Sequence, residues 1–104
     1  MSVVSVYAVF ANLDEAERIG RRMVEERLAA CVNILGPMHS IYRWRAKVEA
    51  ADEVAAIFKT TQQQASSLIA RIAHLHSYDV PCIVTWPIEK ILGEYAAWVE
   101  ENAG

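Results

Sequence analysis

The chain has 104 residues, 54% hydrophobic and 22% charged, and its 13 Asp+Glu against 10 Lys+Arg leave a formal net charge of −3. These values suit one packed domain, residues 1–104, and exclude a disordered chain. The weakly acidic balance argues against nucleic acid, which needs a basic stripe to displace counterions, and no apolar run approaches the roughly 18 residues of a bilayer span.

No basic segment precedes an apolar one at the N-terminus, so no secretory signal is expected. Cys31 and Cys82 are too few for a disulfide scaffold and read as reduced thiols in a cytoplasmic protein.

In chain order, residues 3–11 are β-branched and aromatic, which predicts a strand. Val4, Val6, Ala8 and Phe10 share one face, while Val3, Tyr7 and Val9 share the other, interrupted by Ser5. A strand apolar on both sides is central in its sheet. Asn12, with Glu15 three residues on, has the form of a capping box, and Ala16, Ile19, Gly20, Met23 and Val24 then recur at helical spacing. The outer face carries Glu17–Arg21, Arg21–Glu25 and Arg22–Glu26, opposite charges four apart.

From Cys31 the pattern returns to strand and is broken at Gly36-Pro37, where proline implies a bulge or an edge position. Ile41-Tyr42-Arg43-Trp44 is strongly β-prone. A turn near Arg45-Ala46-Lys47 then sends the chain back along Val48 to Thr60, which would set Arg43 opposite Glu49. A second helix is expected from Gln62 to Leu75, capped by Thr60 or Thr61, with Ala65, Leu68, Ile69 and Ile72 inward. Residues 77–81 break it, Cys82 to Trp86 form a strand ended by Pro87, and a last helix runs from Glu94 to Asn102.

This order is α+β, the βαββαβ of a ferredoxin-like sandwich with an extra C-terminal helix, for which the strand order is four, one, three, two. Two helices cover one face only, although the first and third strands are apolar on both. The second and third strands also exceed the mean strand length of about 5–6 residues, so their long hairpin projects. Uncovered apolar sheet and a free arm call for a closed oligomer in which hairpins augment neighbouring sheets. Cys31 and Cys82 open strands at opposite edges that run in opposite directions, so an intrachain disulfide is excluded and any joint role lies between subunits.

Several stretches resemble the CutA family of divalent-cation-tolerance proteins. Glu25-Glu26-Arg27-Leu28-Ala29-Ala30-Cys31-Val32-Asn33 is similar to its "E-x-L-A-A-C-V-N", and Ser40-Ile41-Tyr42-Arg43-Trp44 to its "S-I-Y-x-W" hairpin. Lys59-Thr60 is similar to its "K-T", residues 76–81 to its "H-P-Y-E-V-P", and Tyr95-Ala96-Ala97-Trp98 to its "Y-L-x-W". These segments stand in the family's order over nearly the whole chain. The resemblance implies a homotrimer, copper or another divalent metal ion as ligand, no organic cofactor and no established catalysis. It also implies an architecture like that of the PII signal proteins, which leaves open a signalling trimer binding a small anionic metabolite, and an unidentified protein partner. The chain departs from the family pattern at Ala46, where Gly is usual in the turn, at Ser77, where Pro is usual, and at Cys82, where Glu is common.

Thiolate and imidazole suit copper and zinc, so Cys31, Cys82, His39, His74 and His76 are the candidate ligands. Spacing alone supplies no paired zinc motif, and Cys31 also reads as a small buried hydrophobe. His76 carries the family motif and heads a loop. The expected metal set is Cys31, His76 and Cys82 at an inter-subunit cleft shaped by Lys59, Tyr78 and Trp44. Lys59 ends an apolar run and needs either an anion or a neighbouring subunit's Asp79, Glu49 or Glu53. Enzyme readings find no support. The arginine of an acylphosphatase loop is replaced by Ala11-Asn12-Leu13-Asp14, and no phosphate loop or Ser/His/Asp constellation is visible.

Overall fold

The computed structural model describes residues 2–104. Strand β1 (Val3–Phe10) is followed by helix α1 (Leu13–Glu25), strands β2 (Cys31–Trp44) and β3 (Lys47–Thr61), helix α2 (Gln62–Leu75), strand β4 (Ile83–Pro87) and helix α3 (Gly93–Asn102). The sheet order is β2-β3-β1-β4 with every neighbouring pair antiparallel, which is the order expected of the ferredoxin-like fold.

Local chemistry sets the helix starts. The Asn12 side chain accepts the Glu15 N–H at 2.9 Å, and Thr61 Oγ1 accepts the Gln64 N–H at 3.2 Å. Both helices pack on the face of Val6, Ala8, Phe10, Ala56 and Phe58, burying Ile19, Met23, Leu68 and Ile72 there. Gly20 lets α1 come close to β2, since a Cβ on it would lie 3.2 Å from Val32 Cγ1. Val24 and Ile69, expected inside, are only half-buried at the edges of this core.

Alternation along the strands sends Val3, Ser5, Tyr7 and Val9 to the second face, with Ala55, Ile57 and Lys59 beside them in β3. There α3 covers one end only, packing Val99 and Ala103 on Val3 and Ala30. Val84 and Trp86 of β4, on the same face, stay 42% and 46% exposed, so the sheet has an open apolar side.

The hairpin projects as expected. Every residue from 41 to 50 is exposed, and the molecule measures 45 × 26 × 22 Å. Its register differs from the expected one. The turn holds two residues, Arg45 and Ala46, so Trp44 pairs with Lys47, Arg43 with Val48, and Tyr42 rather than Arg43 stands opposite Glu49. Both turn residues have positive φ, 50° and 68°, the signature of the tight turn that matches strand twist. The bulge falls between Leu35 and Pro37. The last strand starts at Ile83 rather than Cys82 and keeps Pro87, which an edge strand tolerates.

Candidate functional site

After α2 the chain is pinned to β1 and α1. His76 Nε2–H donates to the Val9 carbonyl at 2.7 Å, and its Nδ1 accepts the Tyr78 N–H at 3.0 Å, an arrangement that defines the neutral tautomer with the proton on Nε2. The imidazole stacks on Phe10 at 5.2 Å and meets the Tyr78 ring at 4.8 Å. The buried Glu15 carboxylate accepts N–H groups from Ala11 at 3.0 Å and Ser77 at 2.9 Å. Burial pushes its pKa up, but the Ala11 and Ser77 hydrogen bonds outweigh that and hold it below the usual value. Ser77 therefore tightens this loop, because the proline usual at this position would have no N–H to give Glu15.

The pinned loop presents Tyr78 to the second face, where its hydroxyl donates to Glu53 Oε2 at 2.7 Å. Burial first, and then the Glu53 carboxylate, raise the phenol well above its ordinary pKa of 10. Between this loop and the base of the hairpin lies a cleft of about 490 Å³. Ser40, Tyr42 and Trp44 form its β2 wall, Glu49 and Glu53 its β3 wall, and Tyr78, Asp79, Val80 and Cys82 its loop wall, with Val9 also lining it. Its charged lining consists of three carboxylates and no lysine or arginine.

Of the residues expected at the site, Trp44, Tyr78 and Cys82 line this cleft, and Cys82 is exposed. His76 stands behind Tyr78 with both ring nitrogens engaged. Cys31 and Lys59 do not line it. They are paired across β2 and β3 in register with Ser5, farther along the second face towards α3. Cys31 Sγ lies 3.3 Å from the Tyr95 hydroxyl, whose pKa is pushed up to about 12 by burial and then by Cys31. None of Asp79, Glu49 and Glu53 forms an ion pair with Lys59 within the chain, among the described residues. His39 meets Asp52 on the exposed hairpin at 3.0 Å, and His74 is exposed in the last turn of α2.

Among the described residues of one chain, no three His, Cys, Asp or Glu side chains converge as a metal site, so Cys31, His76 and Cys82 are not brought together within a subunit. In the sequence, Glu49 stands out only as a partner for Lys59 or Arg43, and Glu53 only as a partner for Lys59. Their i, i+4 spacing in a strand, which puts both on one face, is the signal that marks them as cleft residues.

A four-stranded antiparallel sheet with two helices on one side, an open second face and an acidic cleft at its hairpin base defines a ferredoxin-like α+β protein. A family model described as CutA1 divalent ion tolerance protein matches residues 4–102, and the chain belongs to that family. The divalent-cation tolerance protein CutA of Archaeoglobus fulgidus is 43% identical over 97 residues, 93% of this chain and 94% of that protein. A solved structure of a periplasmic divalent cation tolerance protein CutA from the same organism superposes with a TM-score of 0.94 at 40% identity, covering 98% and 99% of the two chains. The divalent cation tolerance protein of Thermus thermophilus superposes with a TM-score of 0.95 at 40% identity, again covering 98% and 99%.

Proposed function

We propose that this chain is one subunit of a cytoplasmic homotrimer that binds copper or another divalent metal ion where subunits meet, as part of a response to metal ions. The observation that carries this reading is the cleft itself, in which Glu49, Glu53 and Asp79 face a common space with no basic side chain in its lining. Such a lining attracts cations and repels anions. The open face around Val84 and Trp86, together with the exposed arm, supplies the surface on which copies meet.

The donor set is Cys31, His76 and Cys82, supplied from more than one subunit. Cys82 is the donor most directly available, being exposed at the cleft. His76 joins only by releasing the Tyr78 N–H or the Val9 carbonyl. Thiolate and imidazole together favour copper or zinc over calcium or magnesium. An anionic metabolite is the weaker reading, because Lys59 lies outside the cleft.

The test is isothermal titration of copper and of zinc into wild type, Cys82→Ser and His76→Ala, with light scattering on each. A trimer whose copper affinity falls about tenfold or more in Cys82→Ser fits the ligand assignment. Unchanged affinity in both variants removes it, and a stable monomer at micromolar concentration removes the seam.

A further inference from the structure

We infer that Glu15 has a role beyond capping α1: it is the positioning residue for the loop of residues 76–82, which carries Tyr78 and Cys82. In an ordinary capping box the carboxylate of the third helical residue returns to the cap's own N–H. Glu15 does not. Its Oε1 accepts the N–H of Ala11, the residue before the Asn12 cap, at 3.0 Å, and its Oε2 accepts the N–H of Ser77 at 2.9 Å. One carboxylate, 4% exposed, thus bridges the residue after β1 and a loop 62 residues away.

Both oxygens have to accept, because each faces an N–H. A carboxylate meets that demand and an amide does not, since in glutamine one oxygen becomes an NH2 that sets donor against donor. The other tethers of the loop run to β1 and β3. His76 Nε2–H donates to the Val9 carbonyl at 2.7 Å, the Val9 N–H donates to the Cys82 carbonyl at 3.1 Å, and the Tyr78 hydroxyl donates to Glu53. Glu15 adds the tether to the start of α1 and so fixes where the loop leaves α2. Ser77 and Cys82 are then backbone anchors with Tyr78 between them. Each of these bonds joins atoms of one chain and needs no partner subunit. Glu15 touches no donor side chain and acts on Cys82 through the loop, so its link to a metal rests on the reading of Cys82 as a donor given above.

The experiment is amide hydrogen exchange on the metal-free full chain in its native assembly, for wild type, Glu15→Gln and Thr61→Ala. Thr61→Ala removes the cap at the opposite end of α2, a loss of stability of comparable size that leaves the loop's own bonds intact. Circular dichroism checks that both variants fold. The Ser77 and Tyr78 amides should exchange about tenfold or more faster in Glu15→Gln, and at the wild-type rate in Thr61→Ala. Wild-type exchange in Glu15→Gln, or equal acceleration in both variants, overturns the inference. A second arm titrates cobalt(II) and follows the thiolate-to-metal charge-transfer absorption, which Cys82→Ser should diminish. Cobalt affinity should fall about tenfold in Glu15→Gln and stay unchanged in Thr61→Ala. Unchanged affinity in Glu15→Gln overturns its positioning of the donor. A wild type without the thiolate band removes the donor reading of Cys82 instead, and the exchange rates then decide the role of Glu15 by themselves.

Discussion

Tyr78 donates its hydroxyl hydrogen to Glu53 Oε2 across 2.7 Å, joining the loop after α2 to a strand 25 residues earlier in the chain. The bond gives a buried carboxylate its partner and sets one wall of the cleft. Tyr78→Phe leaves that carboxylate without its donor, so the variant should lose about 1–3 kcal/mol of stability. Urea denaturation should show a lower midpoint with an unchanged slope, and a wild-type midpoint would contradict the role given to this bond.

The same phenol and that of Tyr95 govern the alkaline limit. Both have raised pKa values when folded, Tyr95 to about 12, against 10 in the unfolded chain. The native state therefore holds protons that the unfolded state releases. This stabilisation is fully present below pH 10 and is lost as pH rises through the folded values. Ultraviolet titration should find late-ionising tyrosines, with Tyr95→Phe removing one near pH 12. Ordinary ionisation of all tyrosines in the folded protein would refute this.

Glu15 has the opposite sign. Its folded pKa lies below the ordinary 4.5, so its contribution is present above that value and lost as pH falls through the folded one. Glu15→Gln keeps one carbonyl oxygen for two N–H donors and should cost about 1–2 kcal/mol at about pH 7. The difference from wild type should shrink by about pH 3. A gap of equal size at both values would mean that the charge does not matter.

Ala46 occupies a left-handed position, φ 68°, where its Cβ crowds the backbone. Ala46→Gly removes that strain at the expense of a more flexible unfolded chain, and a net gain of about 0.5–1 kcal/mol is expected. Thermal unfolding of the two proteins measures it. A lower melting temperature for the glycine variant would show the turn to be unstrained.

Val84, 42% exposed on the open sheet face, tests the proposed association. Val84→Lys puts a charge into a seam if copies meet there, and light scattering should then report smaller particles. An unaltered trimer would place the contact elsewhere.

Much of this architecture can be read from residue order. Asn12 and Thr61 announce their helices because capping depends on neighbours three residues apart. Val4, Val6, Ala8 and Phe10 declare a buried face because strand periodicity is two. The expected hairpin register is off by one because Arg45-Ala46 lacks the glycine or asparagine that usually marks a two-residue turn, so Lys47 reads as part of the turn. Glu15 is recognisable as part of a cap, but its second partner, Ser77, lies 62 residues away.

The amino-acid order alone thus dictates the elements, their order in the sheet and the surplus of apolar strand, since these follow from propensity and periodicity between near neighbours. Which polar groups meet was decided by folding. Tyr78 reaches Glu53 and Cys31 reaches Tyr95, while Lys59 stands apart from the cleft, because such contacts depend on how loop and strand ends cross in space. Hydrogen bonds act over about 3 Å, and sequence spacing does not encode distances of that size between remote segments.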